Sequence, residues 1–326
     1  VLPGLTARPL TVDDVAAWWR LEERAALVDR PHARENEVAL RSRLTADGFD
    51  PRVQSTGGFD AEGELRAAGT LGLRLGDVEF LRLHFEGVVD PSWRGRGIGR
   101  ELLAWAQDAA QARVARRRAE LGPDVPGALQ VWAADDRDDV ARLCSAGGLS
   151  VQRRFSTMRL DLRPGAPDPV PVPPGYRLVR VDEHDGTGFR EAHNEVFADH
   201  WGSQPLTPAD WSRLVVDDPG FRPAWSFLLL HGEEIAGYAA VHAHEDDWPT
   251  LGFEEAHLDT LGVRRAHRGR GLAGVLLAAV ARRAAELGLA AVALDVDTEN
   301  PSGAVGLYER AGYVHAHGAV LHARPL

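Results

Sequence analysis

The sequence predicts an α/β chain of two tandem domains, each a twisted mixed β-sheet flanked by helices. Three observations carry that expectation. A loop-and-helix signature occurs twice, as Arg94-Gly95-Arg96-Gly97-Ile98-Gly99 and as Arg268-Gly269-Arg270-Gly271-Leu272-Ala273. Each copy follows a strand-like run ending in valine, Val89 or Val263, and opens a stretch with helical spacing of apolar residues. Between the halves lies Arg163-Pro164-Gly165-Ala166-Pro167-Asp168-Pro169-Val170-Pro171-Val172-Pro173-Pro174-Gly175, whose prolines cannot continue a helix or sit in a central strand. The expected organisation is a first domain over residues 1–163, a Pro-rich linker over 164–175 and a second domain over 176–326.

Both halves repeat one order of elements. A helix-like segment comes first, Asp13 to Leu27 or Gly188 to Phe197. Short β-rich runs follow; Trp225 to Leu230 and Ile235 to Val241, parted by a brief polar turn, read as a hairpin. After the valine strand and the loop, Ile98, Leu102, Ala106 and Ala109 keep helical spacing, as do Leu272, Leu276, Val280 and Leu287. A buried-type strand comes next, Ala128 to Trp132 or Ala290 to Val296, and a short helix closes each half. Extra length in the first half sits in Gln111 to Pro126, an Arg-rich extension that reads as a solvated helix face.

Composition narrows the function classes. At 326 residues, 44% hydrophobic and 26% charged, the chain can build two cores. No apolar run approaches a membrane span. Val1 stands first without an initiator methionine, and the residues after it lack the order of a signal peptide. Cys144 is the only cysteine, which excludes an internal disulfide framework and a paired-cysteine zinc site and suits a reducing cytoplasm. A net charge of −11 argues against nucleic-acid and membrane partners and leaves room for a cationic substrate such as an amine. All 37 basic residues are arginine, so acylation of a lysine of its own is excluded. The expectation is a cytoplasmic, metal-free monomer or homodimer.

A glycine-rich turn feeding a helix offers unpaired backbone N–H groups and the positive end of the helix dipole, a receptor for pyrophosphate. A dinucleotide site is excluded, because no acidic ribose ligand follows at the required distance in a βαβ unit. Arg-x-x-Gly-x-Gly/Ala between strand and helix, followed by Asn300-Pro301 and Leu307-Tyr308-Glu309-Arg310-Ala311-Gly312-Tyr313, resembles the GNAT family of acyl-CoA transferases. The resemblance implies acetyl-CoA as cofactor and a small-molecule primary amine as acceptor. It also implies that the amides of Arg268, Gly269, Arg270, Gly271, Leu272 and Ala273 hold the pyrophosphate. Leu261, Gly262 and Val263 then pair with the pantetheine arm and polarise the thioester carbonyl. In the first half the matching cofactor residues are Val89, Arg94, Gly95, Arg96, Gly97, Ile98 and Gly99.

Amine acetylation needs a base for the ammonium and an acid for the leaving thiolate. Tyr308 stands where the family places its acid, and a phenol near pKa ~10 can donate late to a thiolate near ~8.5. Asn300 reads as a helix cap, a cofactor contact or both. Many members carry glutamate six residues before the valine; here that residue is His257, with Asp259 on the same face if the strand is regular. Each reads as a proton-handling group or as structure, with Glu254 and Glu255 in reserve. In the first half Cys144 replaces the tyrosine, Leu83 replaces His257 with His84 shifted to the other face, and Asp135 to Asp139 replace the Asn-Pro cap. That half keeps a cofactor-shaped pocket without a full catalytic set, Cys144 reading as a small buried residue. The acceptor side falls to Ala192 to Pro205 with Trp211. Glu195, His200 and Trp201 there suit an amine on a polar ring or sugar, although core packing fits the same residues. A non-catalytic acyl-CoA-binding or sensory protein is the competing reading, and retention of Tyr308 favours the enzyme.

Overall fold

Strand pairing, not order along the chain, decides which segments belong together. The computed structural model describes residues 2–31, 36–73, 77–198, 203–299 and 303–326. It contains two compact units, residues 1–154 with 318–326 and residues 155–317.

In unit 1 the strands are β1 (Thr6–Arg8), β2 (Ser55–Phe59), β3 (Leu65–Leu73), β4 (Leu81–Val89) and β5 (Gly127–Ala134). The helices are α1 (Val15–Asp29), α2 (Glu37–Thr45), α3 (Pro51–Gln54), α4 (Ile98–Leu121) and α5 (Asp138–Ala146). β1 to β4 are antiparallel neighbours, and β5 joins β4 in parallel after the α4 crossover that a parallel pair requires. α4 buries Ile98, Leu102, Leu103, Ala106, Ala110 and Val114 in the same apolar cluster as Leu81, Leu83 and Phe85 of β4. Val15, Trp18 and Leu21 of α1 cluster with Leu40 and Leu44 of α2 and with Ala68 of β3.

Unit 2 repeats the plan with β7 (Tyr176–Arg180), β8 (Phe227–His231), β9 (Glu234–His242), β10 (Glu255–Val263) and β11 (Ala291–Asp297), numbered after β6 (Ser150–Asp161). Its helices are α6 (Phe189–Phe197), α7 (Pro208–Trp211), α8 (Trp248–Leu251), α9 (Leu272–Glu286) and α10 (Ala304–Arg310). β7 to β10 are antiparallel and β11 is parallel to β10. Leu272, Val275, Leu276 and Val280 of α9 pack with Val292 and Leu294 of β11; truncating one of these leucines to alanine costs about 2–5 kcal/mol.

The Pro-rich segment carries no regular element, yet the units divide at Arg154/Phe155 and His317/Gly318 rather than around residues 164–175. A strand belongs with the partner that satisfies its backbone groups. Phe155 to Asp161 of β6 pair antiparallel with β11, whereas Ala319 to Pro325 of β12 (Val314–Pro325) pair antiparallel with β5. Each half of the chain therefore supplies the closing strand of the other's sheet. Hydrophobic periodicity cannot reveal such an exchange, because it is the same whichever sheet a strand joins. The cap read at Asn300 also changes. α10 begins at Ala304 with Gly303 in the capping position, and Asn300 itself lies outside the described residues.

Candidate active site

The two glycine-rich loops have one backbone conformation. Gly269 and Gly271 sit at φ +75° and +76°, Gly95 and Gly97 at +76° and +84°, all in the left-handed region that side chains disfavour. In α9 the Gly274 and Val275 amides bond back to the Gly271 carbonyl, while those of Leu272 and Ala273 belong to the first turn, without an intrahelical acceptor. The loop arginines are tethers. Arg268 Nε donates to the Val263 carbonyl (3.0 Å), as Arg94 Nε does to Val89 (3.1 Å). Arg270 donates to the Tyr176 hydroxyl, whereas Arg96 stacks on Trp93. The main-chain amides of Leu272 and Ala273 thus face no competing intrahelical acceptor, and they fit a coenzyme pyrophosphate.

Beside each loop the central parallel pair comes apart. β4 and β5 stay in register only over Leu81 to His84 with Gly127 to Gln130, and β10 with β11 only over Glu255 to His257 with Ala291 to Ala293. Past those points Val88–Val89 and Leu261–Val263 have main-chain groups with no ladder partner on that side. In unit 1 the opening is a cavity of about 820 Å³. Gly95, Gly97, Val89 and Cys144 line it, and it continues past β4 to Trp18, Glu22 and Glu86.

The units differ in the strand itself. Ala67 to Gly72 of β3 are matched residue for residue by Val89 to His84. Gly237 to His242 of β9, the same length, are matched by the longer run Val263 to His257, with a register shift between Leu258 and Thr260. Asp259 is the extra residue of a β-bulge, and its backbone is left out of the ladder. The bulge corrects two readings that assume a regular strand. His257 and Asp259 are not simple alternate neighbours: one is mostly buried, the other exposed on the bulge. In ladder position the counterpart of His257 is His84, opposite Gly72 and beside Gln130, rather than Leu83, which is buried in the α4 cluster. Beyond the bulge, Leu261 and Val263 contact the α9 core, and Gly262 touches Val196 and Tyr238 so closely that a Cβ there would lie 2.6 Å from the valine.

Around His257 the structure assembles groups that no local motif announces. Its Nε2 lies 3.6 Å from Asp295 Oδ2, and Thr157 Oγ1 donates to Asp295 Oδ1 at 2.5 Å. The ring of His244 is 5.2 Å away. Burial holds the His257 imidazole below its usual range, with Asp295 pulling it partly back. Across the Gly262 contact, the Tyr238 hydroxyl pairs with His193 Nδ1 (2.8 Å), and burial pushes His193 down to about 4. Both imidazoles are neutral at neutral pH. Tyr308, on α10, packs against the cluster that holds Leu261, Val263 and Leu272, and burial pushes its phenol up to about 12. It keeps its proton at every working pH.

Of the acceptor-side candidates, Glu195 is committed to Arg264, whose Nε donates to its carboxylate at 2.7 Å. His200 and Trp201 lie outside the described residues. Asn194 clamps both backbone groups of Leu206, tying the segment beyond α6 to the helix. Sequence reasoning missed His193, Tyr238, His244, Thr157 and Asp295 because each comes from a different element. The alternation of Ala293-Leu294-Asp295-Val296, which turns Asp295 away from the core face, was the one available signal. Among the described residues no group of His, Cys, Asp and Glu is suited to a metal ion.

Comparison with known proteins places this geometry. The model of the acetyltransferase (GNAT) family matches residues 15–134 and 187–313. A mycothiol acetyltransferase of Geodermatophilus obscurus is 31% identical over 322 residues, covering 95% of this chain and 96% of the relative. One from Streptomyces scabiei is 32% identical over 228 residues, covering 70% and 67%. The crystal structure of a GCN5-related N-acetyltransferase from Sphaerobacter thermophilus superposes with a TM-score of 0.78 at 24% identity, covering 100% of this chain and 97% of that one. A tandem GNAT protein from the clavulanic acid biosynthesis pathway does so at 0.66 and 19% identity, covering 98% of each. Those two show the fold alone. With the family matched over both units, the chain belongs to the GNAT family of N-acetyltransferases.

Proposed function

We propose that this acetyltransferase uses acetyl-CoA to acetylate a primary amine of a small molecule, with unit 2 catalytic and unit 1 retaining a cofactor groove. The observation that carries the reading is the bulge at Asp259 in β10, the strand that parts from β11 and leads into the helix-capping loop. Residues Arg268 to Ala273 would hold the pyrophosphate, and Leu261 to Val263 the pantetheine arm. Acetyl-CoA, when bound, supplies the acetyl group as a thioester. Backbone freed by the bulge offers hydrogen bonds that need no rearrangement. His257, neutral and only partly exposed, takes the ammonium proton, and the Asp259 carboxylate draws the cation in. Tyr308, its phenol raised to about 12 by burial and so no longer matched to a thiolate near ~8.5, would donate a hydrogen bond to the departing sulfur.

The acceptor is an amino sugar, an amino acid derivative or a related natural product. A mycothiol-type acceptor is the second reading, favoured by relatives of that name aligned along 95% of the chain. The absence among the described residues of a helix long and apolar enough to cross a membrane suits a cytoplasmic enzyme. Thiol release from acetyl-CoA over a panel of such amines tests the reading. Amine-dependent release, slowed at least ~100-fold in Tyr308→Phe, is expected. Tight acyl-CoA binding with no release for any amine would instead mark a non-catalytic binder.

A further inference from the structure

Asp295 and Thr157 have no part in the chemistry described so far, yet they form a chain of contacts ending on His257. Asp295 is the one exposed residue of β11, on the face opposite the α9 core. Its Oδ2 lies 3.6 Å from His257 Nε2, and its Oδ1 accepts from Thr157 Oγ1 at 2.5 Å. Thr157 stands directly opposite Asp295 in the β6–β11 ladder, so the hydroxyl is placed by register. A carboxylate with one oxygen bound to a neighbouring strand cannot swing freely into water, although the side chain is half exposed.

Unit 1 is an internal control. Its ladder counterpart of His257 is His84, beside Gln130 as His257 is beside Ala293. Two residues further along, Asp295 is replaced by Trp132, and the residue opposite, Thr157 in unit 2, is Leu321. The hydroxyl–carboxylate pair is therefore present only where the strand is bulged.

Resting on the acetyltransferase reading, we propose that Asp295, fixed by Thr157, is the positioning residue that orients His257 and steadies it while it holds the acceptor's proton. The proton leaves the acceptor ammonium for the His257 imidazole, and the imidazolium forms beside a carboxylate. The proton then passes to water on the open side of the sheet. No covalent bond to Asp295 or Thr157 forms. Other groups facing His257 are His242 opposite on β9, His244 just past that strand, and Asp259 and Glu255 on β10 itself. Glu255 is neutralised by Arg159, whose Nε approaches to 2.7 Å. Of these carboxylates Asp295 acts most strongly on the imidazole, and its Oδ1 is held by the Thr157 hydroxyl rather than by an arginine.

The test is an NMR titration of the histidines in the full chain, with His257 and His84 assigned from His257→Gln and His84→Gln. Losing the carboxylate destabilises the imidazolium, so Asp295→Asn should lower the His257 pKa by at least about one unit. Thr157→Val should lower it less, Thr157→Ser should restore it, and His84 should not move. In the thiol-release assay, where an amine from the panel supports turnover, the acid limb of kcat/KM should shift to lower pH by the same amount. Its plateau should fall about tenfold as the base weakens. An unmoved His257 in Asp295→Asn, or one that moves while the acid limb stays, overturns the proposal and leaves the acetyltransferase reading intact. If His257 moves as expected but no amine supports release, the transferase reading fails and the positioning stands.

Discussion

In unit 1, Val89 to His84 run in unbroken register along β3; in unit 2 the same length of partner strand is met by a run carrying one extra residue, Asp259. The loops and the parted parallel pairs are otherwise alike, while the crossover helix is longer in unit 1, 24 residues in α4 against 15 in α9. The parting of a parallel pair beside a helix N-terminus is a property of the topology and recurs in both units, and in unit 1 it opens the cavity of about 820 Å³. The side chains around the parted strands, by contrast, differ between the units. His84 keeps the place of the histidine, but Trp132, Leu321 and Cys144 stand where unit 2 has Asp295, Thr157 and Tyr308. On the proposed reading, unit 1 would keep a cofactor groove without the groups that move protons.

Substitutions made in pairs sharpen that contrast, and the largest effect belongs to the acid. Tyr308→Phe should slow amine-dependent thiol release at least ~100-fold, whereas Cys144→Ala should leave it within about twofold. A comparable loss in Cys144→Ala would place chemistry in unit 1. Next comes the base. His257→Gln should cost roughly 100-fold and flatten the acid limb; His84→Gln should do neither. As the proposed base His257 would act when neutral, and burial holds its pKa below the usual 6.5, so activity should rise with pH through a limb below that value and hold above it.

Much of this was legible in the residues. Two Arg-Gly-Arg-Gly loops, each before a helical period, pointed to two related units with one loop conformation, because glycine at positive φ leaves few alternatives. Tyr308 was singled out by its motif, and it lies on α10 against the unit 2 core. The bulge was not: Leu258-Asp259-Thr260 alternates as any strand does, and only the partner strand reveals the surplus residue. Asp295 and Thr157 were hidden for a similar reason, since β6 and β11 meet through an exchange of closing strands that periodicity cannot encode.

The loops themselves give a smaller effect. A valine at Gly271 or Gly97 strains the backbone by about 1–2 kcal/mol. Gly271→Val should raise KM for acetyl-CoA about tenfold, while Gly97→Val should abolish a second binding equivalent in calorimetry and leave turnover unchanged. Loss of turnover in Gly97→Val would merge the roles of the two grooves. The smallest effect concerns His193. Its pKa falls from 6.5 to about 4 in the folded chain, so the stability it confers is whole above 6.5 and drains as the pH falls towards 4. Denaturant titrations should lose about 1 kcal/mol between pH 6.5 and about 5.5 relative to His193→Asn.

Deleting Asp259 tests the central claim most directly, because it gives β10 the regular register of β4 and leaves both flanking pairings as they are. The control is Asp259→Ala, which removes the carboxylate and keeps the bulge. With coenzyme A binding retained in both, the deletion should cut amine-dependent thiol release at least ~100-fold, as when one oxyanion donor is lost, and the alanine variant only about tenfold. A deletion variant as active as Asp259→Ala would contradict the account.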